Sequence, residues 1–229
     1  MRNNNLKWSW LIVLLVMGLV MVTTGCTGDD DDDDDAAPAV TDPLAFARAG
    51  WSAFEALDWD EAIYNFEAAI NAGANSTDAF SGAGWTYYMV TDDAYPNSNV
   101  TAQEKWETGL GKTGSENDIH IGMGFLAFDN EDFDSAIEHI RDIALNIPTY
   151  SFIHMPGVDI NDLYVTLAKC YYLQGEYESD DVDNDALDFI WKLNEHFIPG
   201  RDGQGNLTDA GIDEIAQEIE RLDAIVRGF

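Results

Sequence analysis

From residue 42 onward apolar side chains recur three and four positions apart, with almost none of the alternation that marks a half-buried strand. The segment Asp58-Trp59-Asp60-Glu61-Ala62-Ile63-Tyr64-Asn65-Phe66-Glu67-Ala68-Ala69-Ile70 reads as one amphipathic helix. Much the same text returns as Glu131-Asp132-Phe133-Asp134-Ser135-Ala136-Ile137-Glu138-His139-Ile140. The chain therefore contains an internal repeat, and its period decides the architecture. Gly50 to Gly84 spans 34 residues, and so does Ala102 to Ala136. After Pro199-Gly200, Thr208 opens a last amphipathic helix through Ile212, Ile215, Ile219, Leu222 and Val226.

Four copies follow from these spacings. The first has Phe46, Ala49 and Gly50, then Ala62 and Phe66. The second has Phe80, Ala83, Gly84 and Tyr87, then Ala102 and Trp106. The third has Met123 and Gly124, then Ala136 and Ile140, and closes at Pro148. The fourth has Tyr164, Leu167, Ala168 and Tyr171, then Ala186 and Ile190. This pattern resembles the tetratricopeptide repeat over roughly residues 42–198. The resemblance implies an all-α solenoid of helical hairpins, with the last helix covering the open end of the stack. A small residue at each crossing lets two helices approach, and bulky ones fill the space around it. From the crossing residue to the second-helix Ala is 12 residues in copies one and three, but 18 in copies two and four. The even copies thus carry six-residue insertions, one around Asp92–Asn99 and one around Glu178–Asp185. A further ten residues separate copies three and four, around Tyr150–Pro156.

In the family that the repeats resemble, the first helices line a concave groove, facing it with the residue after the crossing and the one three further on. Those places hold Trp51 and Phe54, Trp85 and Tyr88, Phe125 and Phe128, and Lys169 and Tyr172. An aromatic strip in a groove would anchor a peptide or another apolar ligand. The same strip would also serve as core, its members packing on one another, under the last helix or under the long loop. Relatives that clamp a terminal carboxylate use basic residues three before the crossing. Here those places are Ala47, Ser81, Ile121 and Val165, which argues against that mode.

The first 41 residues change the picture. Arg2 and Lys7 precede an apolar run, Trp8–Val22, which is too short for a bilayer span but matches a signal-peptide core. Thr23-Thr24-Gly25-Cys26 follows and resembles the lipobox of bacterial lipoproteins, with Thr23 where that family usually has Leu. The resemblance implies cleavage before Cys26 and acylation of it; a plain cleaved signal or an uncleaved anchor helix remains the alternative. Residues 26–41 include the run Asp29–Asp35, which repels itself and reads as an extended tether reaching on the order of 50 Å. The run also resembles the surface-export signals of some lipoproteins. Domain boundaries are expected at 1–25, 26–41 and 42–229.

Charge then narrows the partners. The formal net charge is −32, and residues 42–229 hold 36 acidic against nine basic side chains. Such a surface repels phosphate backbones, which argues against nucleic acid. Apolar residues make up 46% of the chain, so the charge does not keep it from folding. Two cysteines, Cys26 and Cys170, exclude a disulfide framework. Asp181, Asp183 and Asp185 copy the start of a Ca²⁺ loop, with Asp180 beside them, but Ala186 stands where its Gly should be and Lys192 where its Glu should be. Asp202-Gly203-Gln204-Gly205-Asn206 reads as a turn. His120, His139, His154 and His196 show no metal-ligand spacing, and no phosphate loop, G-x-S-x-G or CxxC is present. The expectation is a non-enzymatic protein without cofactor or metal: a lipid-anchored scaffold of the cell envelope that binds a protein or peptide. The alternatives are a receptor for a ligand in the aromatic groove, or a component of outer-membrane protein assembly. The last rests on layout shared with the tetratricopeptide lipoprotein of the barrel-assembly machine.

Overall fold

The structure is a computed structural model that describes residues 42–90 and 94–228. The expected leader, Cys26 and tether lie outside the described residues, as does part of the first insertion. The described part belongs to one compact unit, Val40–Phe229. Among the described residues there are nine helices and no strand: α1 Pro43–Glu55, α2 Trp59–Asn71, α3 Thr77–Met89, α4 Ser98–Gly109, α5 Asn117–Asp129, α6 Phe133–Asn146, α7 Ile160–Gln174, α8 Ala186–Leu193 and α9 Asp209–Val226. The fold is an all-α array of helical hairpins. No helix among the described residues is long and apolar enough to cross a membrane.

The boundaries follow local chemistry. Asp42 caps α1 ahead of Pro43, whose missing N–H costs nothing at the first helical position. Asp58, Asp132, Asp185 and Thr208 cap α2, α6, α8 and α9 by accepting a backbone N–H with the side chain. The turns before α2 and α6 are near copies. Leu57 and Glu131 each take a left-handed backbone, φ 61° and 62°, and the next N–H donates to Ala53 and Ala127 respectively, at 2.9 Å in both. The expected short connections in copies one and three, and longer ones in two and four, are thereby present.

Helices pair in sequence, α1 with α2 through α7 with α8. The first helices also touch one another, α1 with α3, α3 with α5 and α5 with α7, whereas α2, α4 and α6 do not meet. That asymmetry places the first helices on the inner, concave side of the array. The second helices α2 and α4 each insert one large side chain between two first helices. A Cβ added at Gly50 would lie 2.8 Å from the Phe66 ring, and one at Gly82 would collide with the same ring. Trp106 sits between Gly84 and Gly122 in the same way, and Ile140 sits on Gly124. Phe66, Trp106 and Ile140 are fully buried. The last helix, α9, packs on α7 and α8, closing that end of the stack.

Candidate functional site

The concave side is where the aromatic strip falls, and it is not open. Trp51, Phe54, Trp85 and Phe125 are each at most 5% exposed. Trp51 and Trp85 are covered by the chain's own connection between α6 and α7, residues 147–159. This loop is pinched at its neck: the Phe152 N–H donates to the Val158 carbonyl at 2.9 Å, and the Ile160 N–H to that of Tyr150 at 3.0 Å. Its tip turns inward. Phe152 is fully buried, with its ring centroid 4.9 Å from Trp85 and 5.8 Å from Trp51. The His154 ring stacks flat on Trp51, 3.8 Å between centroids and 5° between planes. Its Nδ1 meets Glu55 Oε1 at 2.8 Å.

Polar groups under the loop are satisfied internally. The Trp51 indole N–H donates to Asp78 Oδ1 at 2.8 Å, and that of Trp85 to the Asp118 carbonyl at 2.9 Å. The Tyr150 hydroxyl donates to Asp118 Oδ1 at 2.7 Å. Burial raises the Asp118 carboxyl above its ordinary value, and the Tyr150 hydrogen bond pulls it partly back. Burial, followed by the Asp118 charge, also raises the Tyr150 phenol. The loop thus brings its own hydrophobic and hydrogen-bonding complement to the strip.

The strip's other members are engaged as well. Tyr88 donates to Asp129 Oδ2 at 2.8 Å, and Phe128 lies 5.9 Å from Phe133. At the far end Lys169 is tied to Asp223 of α9 at 2.8 Å, while Tyr172 packs 5.2 Å from Tyr177. Of the two readings of the strip, groove or core, burial places Trp51, Phe54, Trp85 and Phe125 in the core. The connection between copies three and four folds back over Trp51 and Trp85, while Phe54 packs against Trp51 and Trp59 and Phe125 against Trp85. The spacing located that insertion, but no periodicity showed where it would lie.

The second insertion does not assemble a Ca²⁺ cage. Asp183 Oδ1 pairs with Lys192 at 2.8 Å, and Asp185 divides its oxygens between the Ser179 N–H at 2.6 Å and the Asp188 N–H at 2.9 Å. Asp180 and Asp181 point to solvent. Among the described residues no group of three or more His, Cys, Asp and Glu is arranged to hold a metal. Asp202 organises its turn by accepting the Gln204 and Asn206 N–H groups. Cys170 is fully buried, and burial pushes its thiol up to about 12, too high for a ready nucleophile. His196 is exposed. The sequence did not foresee that His120 and His139 meet across the α5–α6 hairpin, Nδ1 to Nδ1, at 3.1 Å.

The outer side is strongly acidic. Asp60 and Glu61 of α2, Glu104 and Glu107 of α4, and Asp134, Glu138 and Asp142 of α6 are exposed. The only Lys and Arg on these three helices are already engaged, Lys105 by Glu67 at 2.6 Å and Arg141 by the Asp183 carbonyl at 2.9 Å.

The chain matches no family model, no curated protein and no solved structure.

Proposed function

We propose that the chain is a cell-envelope adaptor, anchored through acylated Cys26 and held off the membrane by its acidic tether. Its tetratricopeptide-like array engages a protein partner through the outer surface and not through the concave one. The observation that carries this reading is the loop 147–159. With Phe152 and His154 seated on Trp51 and Trp85, the surface that would make the chain a groove receptor already has an occupant. What remains for a partner is the acidic outer side, whose cations are consumed internally. Complementarity then selects a partner with a basic face.

Affinity isolation of the full-length chain from detergent-solubilised envelope tests this directly. The adaptor reading expects a stoichiometric complex that loosens as salt is raised. Recovery of an unpartnered monomer at low salt contradicts it.

A further inference from the structure

We propose that His120 and His139 form a binding site for a borderline divalent transition ion, such as Zn²⁺, held by the two facing Nδ1 atoms. The two residues lie on different helices of one hairpin, α5 and α6, so their approach is fixed by helix packing and not by a flexible loop. Their Nδ1 atoms are 3.1 Å apart with the ring planes at 36°. With metal–nitrogen bonds of about 2.0–2.1 Å, two imidazole nitrogens on one ion lie about 2.9 Å apart at a right angle and about 3.4 Å apart at the tetrahedral angle. The observed separation falls between these limits. The ring centroids are 5.4 Å apart, so the two nitrogens meet head-on. With the helices in place, each ring must turn by roughly 40° about its side-chain bonds to aim its lone pair at a shared ion.

The surroundings suit a cation. Glu116 Oε2 lies 4.0 Å from His120 Nε2, on the ring edge away from His139. At that distance the carboxylate accepts no hydrogen bond from the ring, but its charge favours the proton at Nε2 and leaves the Nδ1 lone pair facing His139. Asp132 and Glu138 add negative potential at His139, and burial keeps that ring neutral, as a ligand must be. Without metal the two rings share one N–H···N bond. On metal binding the Nδ1 proton of His139 moves to its Nε2 through solvent, so both rings remain neutral and both Nδ1 lone pairs are donated. The side chains are only half-buried, which leaves room for water at the remaining coordination positions. Imidazole pairs of this kind favour Zn²⁺, Ni²⁺ and Cu²⁺ over Mg²⁺ or Ca²⁺.

The test is titration of the full chain with Zn²⁺ while the histidine ring nitrogens are followed by NMR. The Nδ1 signals of two histidines should move to the metal-bound range, and His120→Gln and His139→Gln should each weaken binding by roughly 10- to 100-fold or more. His196→Gln, altering an exposed ring, should leave it unchanged. Zn²⁺ that shifts no Nδ1 signal, or shifts those of His154 and His196 instead, overturns the proposal. So does Zn²⁺ affinity that is the same in the wild-type chain and in both pair variants, which would place the ion on the aspartate run. The NMR readout on the unmodified chain keeps the test decisive even if a variant fails to fold.

Discussion

Single residues set the geometry of the array at the points where helices cross. Gly84 and Gly122 leave the space that Trp106 fills, and the Trp106 indole N–H has no acceptor among the described residues, so its fit rests on shape. Gly84→Ala forces a methyl group into that ring. It should cost about 1–3 kcal/mol, although alanine is the better helix former, and urea unfolding measures it. Two ionisable groups, half-buried His139 and buried Asp162, give the stability pH dependences of opposite sign. Burial first, then His120, lower the proton affinity of His139. The unfolded chain therefore protonates before the folded one, and stability falls as pH drops below about 6.5. Asp162, in the capping box of α7, is raised by burial to about 6. The folded chain binds the extra proton between about 4 and 6, so stability declines as pH rises through that window. Asp162→Asn retains an acceptor for the Asp159 N–H and removes the buried charge. Unfolding at a series of pH values should show it more stable at pH 7, by on the order of 2 kcal/mol, with that decline abolished.

At the scale of elements, the helices and their pairing were legible because each rests on local text. The 34-residue spacing and the small crossing residues state hairpins, and the difference between 12 and 18 residues gave the connection lengths. That the long loop would cover part of the strip was one of three readings the text allowed, and nothing in it chose among them. The loop's position depends on Tyr150, Phe152 and His154 meeting Asp118, Trp85 and Trp51, contacts between parts of the chain up to about a hundred residues apart. The His120–His139 meeting was hidden for a similar reason, since the spacing of 19 residues matches no motif and only the hairpin closes it. Replacing Ser151–Gly157 by a short Gly/Ser linker should uncover the strip while the helices persist. Tryptophan emission should move to the red and acrylamide quenching should rise, with helical circular dichroism kept. Unchanged emission would contradict the loop as the strip's cover. Phe152→Ala alone should cost about 3–5 kcal/mol, as for a phenyl ring lost from a core.

For the whole molecule, residues 42–229 carry a balance of −27, and several of their few cations are held by acids of the same array, as in Lys169–Asp223 and Lys192–Asp183, so the exposed acids of α2, α4 and α6 are left without cations of their own. The proposed anchor and the proposed binding surface can be tested separately. Cys26→Ser should release the chain from membranes on fractionation without altering its helical content or its thermal midpoint, whereas persistence in the membrane fraction would reject acylation as the tether. The central claim is that partners meet the acidic outer helices and not the filled concave face. It is tested most directly by measuring recovery of the envelope complex with two sets of variants. Charge reversal on α4 and α6, by Glu104→Lys, Glu138→Lys and Asp142→Lys, should abolish recovery while the fold is kept. Replacement of Ser151–Gly157 should leave recovery intact. Recovery that survives the charge reversals but disappears with the loop would contradict the account and return binding to the aromatic strip.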